Sequence, residues 1–392
     1  MKKFIYYSTI VSIFTEALYY RMGFDIKLFY LIILFNITIF LAFNKVIYSR
    51  GLLIFHSIVI FTGLFSCIFG YNNFGGFFVQ LFFLILIPIY YLSFFAFFED
   101  KIEDIIFLYC KLCLLLAIIG FILLPMQIAS GKSFQSLMNE PAHYCTVILP
   151  SFFITLKEQK FPRYYFIIIL LSIIVSGSSL GYIGVALSLI MYAKKISISK
   201  ILISSIAVTV VGIIVYVSFP PFKIRMDDTI KSSMNGDLSE ANLSTYALLS
   251  NAFVSSKSFM SNPLIGNGIG SHVNSRNLYL NKIDGIEVFE RMGMDQLNAQ
   301  DAGSLFSRLM SELGLVGIVG VFYFIKKFYV ASTGKELTFN AIVSRSILLY
   351  FFAKLFREGH YFSPEMYFFV FLYVFNKYEW IKFKNQNLIN AK

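Results

Sequence analysis

Residues 75–98 read GGFFVQLFFLILIPIYYLSFFAFF, twenty-four positions without an Asp, Glu, Lys or Arg. As a helix rising about 1.5 Å per residue the stretch is about 36 Å long, and the hydrocarbon of a bilayer needs only about 20 apolar residues to be crossed. A run this uniform has no polar face to turn to water, so it reads as a transmembrane helix.

The segments on either side repeat the pattern. Spans are predicted over 4–20, 26–43, 51–69, 75–98, 104–124, 142–156, 162–177, 179–193, 200–219, 303–325, 339–356 and 361–376. Composition agrees: 57% of residues are hydrophobic and 14% charged, with 46 Phe and 25 Tyr, too few charges to cover a soluble surface. The opening Lys2-Lys3 before an apolar run looks like a signal peptide. No small-residue cleavage site follows, and Glu16 and Arg21 interrupt, so the segment reads as a first span or signal anchor. The expected fold class is an all-α polytopic membrane protein of about twelve transmembrane helices with one large external loop that itself contains helices. Three regions follow: 1–219 with about nine spans, a polar loop at 220–302, and 303–392 with three spans and a tail.

The net charge of +11 does not point to nucleic acid, because the lysines neither cluster nor interleave with stacking aromatics. They sit in short runs between spans. With the amino terminus inside, the inner segments hold eighteen Lys and Arg and the short outer loops five, at Arg21, Lys27, Lys132, Lys354 and Arg357. Both termini are therefore expected in the cytoplasm and the 220–302 loop outside. A helix is predicted in that loop, with Ser239 as N-cap, Leu243, Tyr246, Leu249 and Phe253 along one face, and Asn262-Pro263 as its end.

Charges inside spans or at their outer mouths are functional candidates. Arg308 and Glu312 fall four residues apart on one face of the tenth span, beside a stripe of Gly303, Ser307, Ser311 and Gly314. They read either as a self-neutralising packing pair or as an Arg presented to an anion. Arg357-Glu358-Gly359-His360-Tyr361 is a charged outer hairpin between the last two spans, and Arg225 stands where the ninth span emerges. Glu140 precedes Pro141 and must be extended, which suggests a re-entrant segment aiming a carboxylate into a cavity, with His143 beside it. Gly266-Asn267-Gly268-Ile269-Gly270 lacks the strand and Lys of a nucleotide loop and reads as a turn placing its N–H groups in the outer cavity. His272 and Arg276 follow it as solvated candidates. Cys110-x-x-Cys113 reads as two small apolar residues on one helix. No motif implies a metal or a cofactor.

The ordered set Asn-Glu-Pro at 139–141, Ser176-Gly-Ser-Ser179, Asn262-Pro-Leu-Ile-Gly-Asn-Gly-Ile-Gly270, SLFSRLMSELGLVG at 304–317 and the 357–361 hairpin resembles the O-antigen polymerase and ligase superfamily. The resemblance implies a GT-C-like architecture in the bacterial inner membrane and a glycosyltransferase that moves a growing glycan from undecaprenyl pyrophosphate onto the non-reducing end of a new lipid-linked repeat unit. It also implies membrane lipids and a chain-length regulator protein as partners, and no nucleic acid. Ligases of the group typically carry a His near the start of the helix that ends the loop; residues 298–306 here hold none, which favours polymerase. Ligase and flippase are the alternative readings. In this scheme Arg225, Arg308 and Arg357 would hold the pyrophosphate, Glu140 or His360 would activate the acceptor hydroxyl, and His143, Arg276, Glu312 and Tyr361 are secondary candidates.

Overall fold

The computed structural model describes the chain outside residues 22–24, 44, 193–198, 200–205, 207–208, 211–212, 214–215, 218–219, 236, 333–336 and 391–392. The described residues form fifteen α-helices and one two-stranded hairpin. In chain order the helices are α1 (Lys2–Ser12), α2 (Leu28–Ala42), α3 (Arg50–Ile68), α4 (Phe74–Phe97), α5 (Ile102–Ala129), α6 (Pro141–Lys157), α7 (Arg163–Val175) and α8 (Ser179–Tyr192). There follow α9 (Pro220–Asn235), α10 (Leu243–Ser261), α11 (His272–Tyr279), α12 (Ile286–Arg291), α13 (Leu305–Phe328), α14 (Phe339–Arg357) and α15 (Met366–Asn390).

Five of these are long and apolar enough to cross a membrane: α3, α4, α5 with the short turn that leads into it, α13 and α14. Helices α2, α7 and α8 are apolar but shorter. The expected span 4–20 is not one helix. It stops at Ser12, and Tyr19–Arg21 (β1) pairs antiparallel with Asp25–Lys27 (β2). The segment is apolar, but Glu16, Tyr19 and Tyr20 lie in turn and strand rather than in a continued helix. The expected span 361–376 likewise begins late, at Met366, because Ser363, Pro364 and Glu365 form a buried turn. Most of the expected span 200–219 lies outside the described residues.

Helix starts follow local chemistry. Ser49, Asn73, Ser304 and Thr338 each accept a hydrogen bond from a backbone N–H three residues on, at the first turns of α3, α4, α13 and α14. Glu140 is extended, with φ −142° and ψ 153°, as the following proline demands, and Pro141 opens α6. Helix α14 is central, packing on α6, α8, α13 and α15. One apolar core runs through this bundle. A second, smaller one of Leu238, Tyr246, Leu280, Ile283, Ile286 and Phe289 belongs to the 238–297 unit. Helix α10 of that unit has its N-cap at Asn242 instead of Ser239, because the Asn242 side chain reaches the Thr245 amide at 3.0 Å. It ends at Asn262 as expected.

Helix α13 is broken. Gly314 has φ 57° and ψ −145°, a conformation open essentially only to glycine, and the 263–268 loop fills the gap. The Asn267 and Gly268 amides donate to the carbonyls of Ser311 and Glu312, both at 2.8 Å. The Leu315 and Val316 amides donate to the carbonyls of Pro263, at 2.8 Å, and Leu264, at 3.0 Å. The groups freed by the break are thus satisfied by protein, the condition for irregular backbone between apolar helices. A Cβ on Gly314 would lie 2.7 Å from both the Gly266 amide and the Pro263 carbonyl, and one on Gly266 would lie 2.5 Å from the Glu312 backbone. The glycine run is thus the other half of this joint: its Gly266, Asn267 and Gly268 amides are spent on backbone carbonyls, whereas the Gly270 amide turns to the Glu312 carboxylate.

Candidate active site beneath the loop unit

Ionisable side chains gather where α4, α6, α13 and α14 end beneath the loop unit, and the hairpin after α14 stitches them together. Arg308 is 3% exposed. Its Nε donates to Glu312 at 3.2 Å, one terminal nitrogen to the Gly359 carbonyl at 3.1 Å, and the other to Gln80 at 2.9 Å, while its plane lies 4.0 Å from the centre of the Tyr361 ring. The second carboxylate oxygen of Glu312 and the Tyr361 hydroxyl are both buried, and the Tyr361 hydroxyl and the Gly270 amide are turned toward the Glu312 carboxylate. Gly359 is required for space: a Cβ there would overlap the Asp301 carbonyl, 1.6 Å away.

Asp301 arrives on a strained turn in which Asn298, Ala302 and Gly303 all have positive φ. Its Oδ1 accepts from the Gly303 amide at 3.0 Å and its Oδ2 lies 3.1 Å from His360 Nε2. Burial alone would raise the Asp301 pKa, but His360, the Gly303 amide and Arg308 hold it below its ordinary value. The His360 ring sits deep among protein atoms yet keeps 38% of its side-chain surface accessible. Burial lowers its pKa, and the cations Lys27, His143 and Lys354 add to this against the pull of Asp301. His143 packs edge-on against it with ring centres 6.3 Å apart, and its Nδ1 meets Glu16 at 2.5 Å.

A second ion group lies on the same hairpin. The buried ammonium of Lys354 contacts Glu358 at 2.6 Å, Ser363 at 2.7 Å and Glu365 at 3.3 Å. Burial pushes the Glu358 carboxyl above its ordinary range although Lys354 pulls the other way. Lys354 is therefore a paired interior charge and not one of the outer-loop cations that mark topology.

The structure brings Arg308, Glu312, His143, His360 and Tyr361 together. Glu140 is exposed, one turn ahead of His143 and close enough to act on its charge. Arg357 turns to the loop unit and, among the described residues, makes two long contacts, both 3.5 Å, to Ser244. The side chain of Arg225 lies outside the described residues. Arg276 and His272, expected in solvent, are fully buried. Arg276 donates to Tyr246 at 3.1 Å, Ser250 at 3.2 Å, Asn251 at 2.7 Å and the Asp295 carbonyl, clamping the loop unit from within. Burial lowers its pKa, and Tyr246 and Asp295 oppose the shift. His272 bridges the unit to α13, with Nδ1 2.9 Å from Ser311 Oγ and Nε2 3.0 Å from Asn251 Oδ1. Because Arg276 already fixes that Asn251 oxygen as an acceptor, the His272 proton belongs on Nε2. Burial, then Arg308 and Arg276, lower its pKa to about 3, so it is neutral.

Sequence reading missed Gln80, Asp301, Glu16, Lys354 and Glu365. Glu16 and Gln80 carried a usable signal, since each is a polar group inside an apolar run. Asp301 carried none, because its role depends on the 298–303 turn meeting a hairpin sixty residues further along the chain. Among the described residues no group of three or more His, Cys, Asp or Glu could hold a metal ion, and Cys110 and Cys113 are buried free thiols. Comparison of the chain with protein-family models, with curated proteins and with solved structures finds no match in any of the three.

Proposed function

We propose that the protein is a membrane glycosyltransferase of the repeat-unit polysaccharide polymerase type, acting on undecaprenyl-pyrophosphate-linked glycans at the outer face of a bacterial inner membrane. The observation that carries the reading is the Asp301–His360 pair, a buried carboxylate against a partly accessible imidazole, seated at the end of apolar helices and under a folded loop unit. Such a pair orients an imidazole as a general base, with one ring nitrogen on the carboxylate and the other left to accept a proton.

In the proposed reaction His360 takes the proton of the acceptor hydroxyl as that oxygen bonds to the anomeric carbon of the donor. The bond from that carbon to the phosphate oxygen breaks, and the lipid pyrophosphate departs with the electron pair. Arg357, weakly held at the surface of the site, is the arginine best disposed to meet the leaving group. Arg308, with its donors engaged by Glu312, Gln80 and Gly359, holds the hairpin that carries His360. The finer topology belongs to the same proposal: about twelve spans, both termini cytoplasmic and the loop unit outside, with a chain-length regulator as partner.

The test is complementation of a deletion strain with His360→Ala and Asp301→Asn, with the surface and lipid-linked glycans displayed by size. The expected phenotype is a single repeat unit in place of polymer, at wild-type protein levels. Polymer of normal length from both variants refutes the reading. Loss of all surface glycan would instead indicate transport, and long chains retained on the carrier would indicate a ligase.

A further inference from the structure

At the end of the bundle that bears the amino terminus, α1, the end of α4 and the start of α5 line a half-open cavity of about 510 Å³. Four lysines, Lys2, Lys3, Lys101 and Lys111, and two aspartates, Asp100 and Asp104, line it together with aromatic rings. The cavity lies at the opposite end of α4 and α5 from the candidate active site, so nothing in the transfer reaction accounts for it.

Lys111 is the unusual member. Asp104 marks the polar edge of α5, and Lys111 lies seven residues further along the apolar helix, about 10 Å deeper at the helical rise. It is exposed and makes no hydrogen bond or ion pair among the described residues. An ammonium at that depth either bends its stem back to the surface or meets a counter-charge, and the cavity above it is where both outcomes lead. Beyond Lys111 the same helical face continues as Leu115, Ile118 and Ile122, which are 51%, 39% and 70% exposed. A cationic cup at the surface therefore opens onto an apolar track that runs into the membrane.

We propose that this cavity binds an anionic phospholipid, with the headgroup phosphate on Lys111 and the neighbouring lysines and one acyl chain along the Leu115–Ile122 track. The inference rests on α5 being a transmembrane helix and not on the transferase reading, so either can fail without the other. A free phosphate shares the headgroup chemistry but would leave the apolar track unused, which favours the lipid.

The test is native mass spectrometry of the full chain in neutral detergent with phosphatidylglycerol, phosphatidylcholine or inorganic phosphate added. Phosphatidylglycerol is expected to be retained over phosphatidylcholine, and inorganic phosphate to compete poorly. Lys111→Gln and Lys101→Gln should each weaken the retention by about fivefold, the scale of one lysine at an anionic surface. Lys282→Gln, in the loop unit, should leave it unchanged. The melting temperature and elution volume of each variant establish that it is folded. Equal retention of the two lipids, retention unaffected in Lys111→Gln, or displacement by inorganic phosphate as effective as by phosphatidylglycerol would each overturn the proposal.

Discussion

Replacing Gly314 with alanine should open the joint on which the candidate site is built. The backbone there, φ 57° and ψ −145°, strains any L-residue by about 1–3 kcal/mol. The new methyl would also stand 2.7 Å from the Gly266 amide and the Pro263 carbonyl and 2.9 Å from the Leu264 backbone, none of them a flexible side-chain end. If the 263–268 loop is driven out, four backbone hydrogen bonds are lost, each worth about 0.5–1.5 kcal/mol net. The sum is about 3–9 kcal/mol, concentrated on one joint. Hydrogen exchange of the detergent-solubilised full chain should show lost protection at 263–268 and 311–316, with little change in α7 or α8. Gly266→Ala attacks the same joint from the other side, so the two substitutions together should destabilise much less than their sum. Wild-type exchange in both segments for Gly314→Ala, or additive losses in the double variant, would refute the account of the break.

Further predictions concern the site and its supports. His272 is neutral in the folded unit, with a pKa near 3 against an ordinary 6.5, so its contribution is present above pH 6.5 and is lost as pH falls from 6.5 toward 3. At pH 5 the loss is about 2 kcal/mol, read as faster hydrogen exchange in 243–279; an unchanged pH slope in His272→Gln would count against it. Arg276→Lys should destabilise the loop unit by more than about 3 kcal/mol, because an ammonium cannot span Tyr246, Asn251 and Asp295 at once; protease resistance of the unit at wild-type level would contradict this. Lys354→Ala should destabilise by about 3–5 kcal/mol by stranding Glu358 and Glu365, and Lys354→Ala combined with Glu358→Gln and Glu365→Gln should recover much of it in thermal melts. Asp301→Asn should reduce polymer formation without lowering protein level, whereas Asp301→Glu, which keeps the charge, should retain part of it.

The parts of this molecule that were legible in sequence are those fixed by solvent. A run such as 75–98 has one environment open to it, so α4 appears where hydropathy puts it, and Glu140 is extended because the proline ring after it allows little else. The pairing of Arg308 with Glu312 was likewise implied by a four-residue spacing on one helix. Where reading failed, the deciding contact was distant in sequence. Gly314 looks like one more small residue in a packing stripe until the 263–268 loop is laid beside it. His272 and Arg276 look like solvated loop charges until α10 closes over them. The same distinction explains the hairpin. Its cluster of Arg, Glu and His marks it as more than a turn, but does not say that Glu358 turns inward to Lys354 while His360 turns to Asp301 and Arg357 faces Ser244. The polar side chains of the hairpin are thus divided between holding the helices, as Glu358 does, and facing the loop unit, as Arg357 does, a partition set by what each neighbouring element presents there.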